Sequence, residues 1–165
     1  MEKNLSALGF MSGTSGDGVD SSIISSNGED KIKIKYNRFD PYPANLSNKI
    51  HSLKDNIQKI QDLLKYSQEI EKLESELTKF HAKIAISISE KFRFELIGFH
   101  GHTIYHNSEE KISKQIGLGN TLSKLTKKTV VYNFRQNDIE NGGEGAPLAP
   151  IYHLSLIRTL LNKKK

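Results

Sequence analysis

The chain contains no cysteine. That excludes disulfides and any chemistry that runs through a thiolate, and it makes the cytoplasm the default location. No run of about twenty apolar residues occurs, the length that a membrane-spanning helix needs. Met1-Glu2-Lys3-Asn4 leads into a strand pattern instead of the apolar core of a signal peptide. Internal repeats and low-complexity linkers are also lacking. Arginine is scarce, at Arg38, Arg93, Arg135 and Arg158. The guanidinium is the side chain favoured for bidentate contacts to phosphates and bases, so its scarcity argues against a nucleic-acid partner. The formal charge of +5 does not restore that reading. Lys163, Lys164 and Lys165 supply three of those charges, and Lys59, Lys65, Lys72, Lys79 and Lys83 are interleaved with Asp62, Glu69, Glu71, Glu74 and Glu76 on solvated helix faces. Neither nucleic acid nor membrane is expected as a partner.

What remains is a globular composition, 36% hydrophobic and 26% charged, in 165 residues, enough for one domain with a sizeable core. Its most informative stretch is Met11-Ser-Gly-Thr-Ser-Gly-Asp-Gly-Val-Asp20. Gly13, Gly16 and Gly18 leave out the β-carbons that would keep a polyphosphate away from backbone N–H groups, and Ser12, Thr14 and Ser15 bring hydroxyl donors. Asp17 and Asp20 add hard oxygens suited to Mg2+ or its waters. A Walker loop is excluded, because no lysine lies between Lys3 and Lys31. On composition alone, a phosphate cradle and an ordinary hairpin loop are equally compatible with these residues.

The flanking pattern gives strand, glycine-rich turn, strand, a turn at Asn27-Gly28, and an alternating strand through Lys31-Ile32-Lys33-Ile34-Lys35-Tyr36. Pro41-Tyr42-Pro43 closes the strand region and opens a helix with Leu46, Ile50 and Leu53 on one face, followed by a second short helix through Ile57, Ile60, Leu63 and Leu64. Ile70, Leu73, Leu77, Phe80, Ile84 and Ile88 recur at spacings of three and four, so a long helix buries one stripe against a sheet. That stripe is too short for the sustained heptads of a coiled coil. Phe92 to Phe99 is expected as a buried strand ending at His100. A further helix leads to a strand at Val130-Val131-Tyr132, and Ile151 to Leu161 has helical character.

His100-Gly101-His102, with His106 nearby, raises a metal site, since His-x-His on a strand places both imidazoles on one face. Only Glu109 and Glu110 lie close in sequence to complete such a site, which counts against it. Arg135 is expected to project from the end of the Val-Val-Tyr strand towards a cleft, where a guanidinium could hold a carboxylate. The alternative is a surface pair with Asp138. Gly142, Gly143 and Gly145 allow close backbone approach to a ligand.

Three blocks, taken in order, resemble one family. Gly13-Thr-Ser-Gly-Asp-Gly-Val-Asp20 is similar to the Gly-Thr-Ser-Leu-Asp-Gly-Val-Asp signature of the anhydro-N-acetylmuramic acid kinases. Phe99-His-Gly-His-Thr-Ile-Tyr-His106 and Gln115-Ile116-Gly117 resemble that family's His-Gly-Gln-Thr and Gln-Ile-Gly. Val130-Val-Tyr-Asn-Phe-Arg-Gln-Asn-Asp138 and Gly142-Gly-Glu-Gly-Ala-Pro-Leu-Ala-Pro150 resemble its Val-Val-x-Asp-Phe-Arg-x-x-Asp and Gly-Gly-Gln-Gly-Ala-Pro-Leu-x-Pro.

The resemblance implies an α/β fold, the ribonuclease H-like domain of the actin/hexokinase-type kinases, with a mixed sheet, helices and a missing second lobe. Residues 1–165 would be the N-terminal lobe of a two-lobed sugar kinase about twice this length, an interrupted chain arising from a frameshift, a split gene or a chosen boundary. The implied reaction is ATP-dependent phosphorylation of 1,6-anhydro-N-acetylmuramic acid with opening of the anhydro ring. ATP and Mg2+ would be held by Gly13, Thr14, Ser15, Gly16, Asp17, Gly18, Val19 and Asp20, with Asp17 and Asp20 on the metal. The sugar would meet His100 and His102 at the mouth of its pocket, together with Arg135, Gly143 and Glu144. The family's general-base aspartate lies in a later Asp-x-Gly-Pro-Gly-Asn segment that this sequence does not contain, so no catalytic residue is assigned and the chain alone is expected to be inactive. A non-catalytic nucleotide- or sugar-binding half-domain, paired with a second-lobe polypeptide or with its own copy, is the alternative. The sequence also departs from the family's pattern at Gly16, His102, Leu118, Asn133, Gln136, Asn137 and Glu144. The last places a carboxylate near a site for anionic ligands.

Overall fold

Alternation builds the first half of the sheet. In a computed structural model, which describes residues 4–162, strands β1 (Leu5–Ser12), β2 (Gly18–Ser26) and β3 (Ile32–Pro41) form an antiparallel meander. Leu8, Phe10, Val19 and Ile23 point to one side and are buried. Met1 to Lys3 and the Lys163–Lys165 run lie outside the described residues.

Helices α1 (Ala44–Asn56), α2 (Ile60–Lys65) and α3 (Ser67–Ser89) follow where the 3.6-residue spacing places them. α1 buries Leu46, Ile50 and Leu53, and α3 buries Ile70, Leu73, Leu77, Ile84 and Ile88, all joining one core with the inner sheet face. The ring of His81 on α3 stands edge-on to Phe10 and Phe99 at 5.1 and 5.0 Å.

Strand β4 (Leu96–Asn107) runs parallel to β1, so the meander continues into an α/β layer. It corrects the expectation of a strand over Phe92 to Phe99. Phe94 is a core side chain on the approach to the strand, and the strand continues well past His100. β5 (Ile112–Ile116) pairs antiparallel with the far half of β4 and was not legible as a strand. It is a short, polar edge strand, the kind of edge that carries little periodic apolar signal. After α4 (Gly119–Thr126), β6 (Thr129–Tyr132) pairs parallel with the near half of β4. The result is a six-stranded mixed sheet with helices, the α/β class that the resemblance implied.

α5 (Phe134–Glu140) and α6 (Pro150–Asn162) complete the chain. Arg135 therefore sits in the first turn of a helix, not at a strand end as expected. Asn133 separates β6 from α5 in the left-handed region, at φ 63°, a conformation that asparagine tolerates better than most residues. Phe134 reaches the outer sheet face over Gly98. The rest of that face is open: Ala7, Gly9, Met11, Asp20, Ser22, Ile24, Leu96 and Gly98, with Tyr152 of α6, line a cavity of about 420 Å3.

Candidate functional site

The glycine-rich segment is a tight loop between β1 and β2. Gly16, at φ 63°, closes it by donating its N–H to the Gly13 carbonyl at 3.0 Å. A β-carbon there would stand 3.2 Å from the His51 ring. The loop's other carbonyls are drawn towards α1. Tyr42 N–H donates to the Asp17 carbonyl at 2.9 Å, Ser47 Oγ to Gly16 at 2.7 Å and Lys54 Nζ to Thr14 at 2.9 Å. Carbonyls tied back in this way leave Thr14, Ser15 and Asp17 exposed at the loop's surface.

Asp17 accepts from Ser15 Oγ at 2.6 Å, and this bond, followed by backbone N–H groups of Asp17 and Gly18, holds its carboxyl below the usual range. It is thus an ionised oxygen donor, as a magnesium ligand must be. Asp20 lies exposed on β2, opposite Met11. One or two carboxylates alongside phosphate oxygens and waters suffice for magnesium, so the donor set fits that ion. Gly18 is confined: a β-carbon would come within 2.5 Å of the Asp40 carbonyl. Val19, named with the loop for its place in the motif, has a fully buried side chain that belongs to the core.

The loop is joined to the histidine block through its first neighbour. Tyr42 Oη donates to Ser12 Oγ at 2.8 Å, and Ser12 Oγ lies 2.7 Å from His102 Nδ1. Ser12 Oγ thus bridges Tyr42 and His102 Nδ1, while the buried His102 Nε2 has no hydrogen-bond partner among the described residues. Burial pushes the Tyr42 phenol up to about 12. It pushes His102 down to about 4, and coupling to Lys54, His100 and His51 adds to the effect.

His102 is fully buried, which corrects its expected position at the mouth of a pocket. The cause is Gly101, whose φ of 74° inserts an extra residue into β4. Before it, Ile97 and Phe99 face inward; after it, His102 and Ile104 do. His100 and His102 consequently point to opposite faces, and the His-x-His metal reading loses its geometry. Among the described residues no group of three or more histidine or carboxylate side chains is placed to hold a metal ion. His106 is exposed further along β4.

His100 faces Arg135. Its Nδ1 donates to the Gly101 carbonyl at 3.0 Å, so its Nε2 is free to accept from Arg135 Nε at 2.7 Å. Burial, and then the guanidinium charge, keep this imidazole neutral. Arg135 Nη1 donates to the Gly145 carbonyl at 2.8 Å. Asp138 does not pair with Arg135. Its carboxylate accepts from the Gly145 N–H at 2.9 Å, and its carbonyl accepts from Gly143 N–H at 2.8 Å. A β-carbon on Gly143 would overlap the Asp138 carboxylate at 2.1 Å. Arg135 thus clamps the histidine block to the Gly142–Gly145 turn, while Glu144 stands exposed at its tip.

Sequence reasoning missed the supporting residues, because none has a local signature. Glu74 and Thr78 of α3 receive Lys114 Nζ at 3.0 Å and Leu118 N–H at 2.9 Å, which fixes the Gln-Ile-Gly segment. Lys54 and His51 reach the glycine loop from a helix some forty residues away. Motif segments that are far apart in sequence are therefore bonded together through β4, His102 on one face of the sheet and His100 on the other.

The fold and site thus define an α/β domain, a six-stranded mixed sheet with helices, a glycine loop after β1 and motif blocks joined through β4. Residues 5–164 match the family model described as anhydro-N-acetylmuramic acid kinase. The chain belongs to that family. It is 52% identical over 159 residues to the anhydro-N-acetylmuramic acid kinase of Pelagibacter ubique, an overlap that takes in 95% of this chain and 42% of the relative. The kinase of the same name from Gluconobacter oxydans is 39% identical over 151 residues, covering 92% of this chain and 42% of the relative. That of Agrobacterium fabrum is 34% identical over 159 residues, covering 93% and 43% respectively. The chain thus spans less than half the length of the curated relatives it matches. No described helix is long and apolar enough to cross a membrane.

Proposed function

We propose that this chain is the N-terminal, phosphate- and sugar-binding half of an enzyme that transfers the γ-phosphoryl group of ATP to O6 of 1,6-anhydro-N-acetylmuramic acid, with water opening the anhydro bridge at C1. The observation that carries this reading is the junction of the motif blocks: Ser12 bonded to His102 at 2.7 Å, and His100 bonded to Arg135 at 2.7 Å. An unrelated domain with a generic glycine loop gives no reason for these segments to meet.

In this reading Gly13 to Asp20 receive the phosphates, and Asp17 and Asp20 hold magnesium, which supplies neutralisation of phosphate charge. Phosphoryl transfer depends chiefly on positioning and electrostatics. The chain's contribution is a loop fixed by Ser47, Lys54 and Tyr42, together with a neutral His100 oriented by Arg135. Arg135, His100, Gly143 and Glu144 form the sugar side. His102 acts on it indirectly by anchoring β4 to the loop. On this reading the carboxylate that activates water is not among residues 1–165, and the 165-residue chain alone is expected to bind ATP weakly and not to turn over. A coupled ADP-release assay with the anhydro sugar checks this, and multiple turnovers by the chain alone would refute it.

A second reading, a half-domain completed by another polypeptide in the cytoplasm, is favoured by one observation. Ile151, Leu154, Ile157 and Leu161 form an exposed apolar stripe along α6. Co-elution with a polypeptide carrying the relatives' remaining length, and activity only in the mixture, would support it.

A further inference from the structure

We propose that Lys54 is the phosphate-binding cation of the glycine loop, supplied by α1 instead of by the loop itself. This rests on the reading of the loop as a phosphate cradle and adds a residue to it. The loop segment contains no lysine, the feature that excluded a Walker loop. Folding brings one to it: Lys54 Nζ lies 2.9 Å from the Thr14 carbonyl. An ammonium group has three donors, and this bond uses one, so two remain for phosphoryl oxygens above the exposed Thr14 and Ser15.

Two further observations bear on the role of Lys54. Lys49 and Lys114 are committed to carboxylates, Glu76 at 2.7 Å and Glu74 at 3.0 Å, whereas Lys54 pairs with no carboxylate among the described residues. His51, one turn earlier on α1, stands beside Gly16, and Lys54, His100 and His51 together disfavour a proton on His102. The thiol-free loop, its hydroxyls and this ammonium group together fit a polyphosphate chain.

The test is a titration of the 165-residue chain with inorganic tripolyphosphate, and separately with ATP, followed by NMR of the backbone amides of residues 13–18 and the Cε–Hε signals of Lys54. In the wild type both sets of signals move together. Lys54→Gln weakens tripolyphosphate binding roughly tenfold, the loss of one charge-assisted hydrogen bond, and Lys54→Arg restores most of it. If the loop amides respond while Lys54 Cε stays still, or if Lys54→Gln binds as the wild type does, the lysine is only a tether and the proposal falls, while the cradle reading stands. If the wild-type loop responds to neither ligand at millimolar concentration, the cradle reading fails and the proposal fails with it. The wild-type Lys54 signals decide the matter even if the variant disturbs the loop.

Discussion

Ser12 Oγ and His102 Nδ1, ninety positions apart in the chain, share a buried hydrogen bond of 2.7 Å. Ser12 is the last residue before the glycine loop, so this bond fixes where the loop leaves the sheet. Ser12→Ala removes the hydrogen-bond partner of Tyr42 and of His102 Nδ1 at once. Leaving two buried polar groups unpaired costs about 2 to 4 kcal/mol. Urea denaturation of wild type and variant measures it, and a difference below about 0.5 kcal/mol would show that the chain of hydroxyls is not structurally important.

Acid should weaken the fold through its buried imidazoles. His81 and His102 have folded-state pKa values lowered from 6.5 to about 4 by burial. The unfolded chain therefore binds more protons between these values, and stability rises with pH across that window. The contribution is fully present above about pH 6.5, falls as pH drops towards 4 and changes no further below it. His81 alone accounts for about 3 kcal/mol over the window. His81→Phe keeps a ring between Phe10 and Phe99, so the variant's stability should depend less steeply on pH between 4 and 6.5. Equal slopes in the two proteins would contradict the assignment.

Arg135 and His100 are coupled electrostatically. Burial is the larger cause of the lowered His100 pKa, and the guanidinium adds to it. Arg135→Gln should raise the His100 pKa towards its ordinary value, a change readable by NMR titration of the imidazole carbon-bound protons. A downward move, or none, would mean that the 2.7 Å contact does not persist in solution.

Gly101 has no tolerant substitute. At φ 74° an L side chain is strained, and a β-carbon would lie 2.5 Å from the Ile116 carbonyl. Gly101→Ala should cost about 2 kcal/mol or more, with a lower thermal midpoint. Gly28 is the control: it has φ 85° but nothing within 4 Å of a β-carbon, so Gly28→Ala should cost only the backbone strain, about 1 kcal/mol.

The sequence was most legible where one local pattern governs several turns or strands. The stripe Ile70, Leu73, Leu77, Ile84 and Ile88 predicts α3, and the alternation around Ile32 and Ile34 predicts β3. Legibility failed where a single backbone choice changes the outcome. Gly101 looked like one glycine in a motif, yet it reverses which side chains of β4 face inward and thereby buries His102. Asn133 similarly moves Arg135 from a strand onto a helix. Lys54 carries no local mark of its place, because its position beside Thr14 arises only from packing α1 against the sheet. The motif blocks identified the family more readily than the positions of their individual side chains.

The bulge at Gly101 gives the two histidines of one short motif different chemical environments. One is sealed among Ser12 and Tyr42, and the other is held at the surface of a clamp made by Arg135. Deleting Gly101 would leave Phe99, His102 and Ile104 on the inner face, whereas forcing these residues, Gly101 included, into a strand without the bulge would turn its remainder inside out, with Thr103 and Tyr105 inward and Ile104 outward. No substitution at either histidine could undo this, since the error would lie in the parity of the strand. The motif's middle position therefore sets the parity of the strand through its backbone conformation.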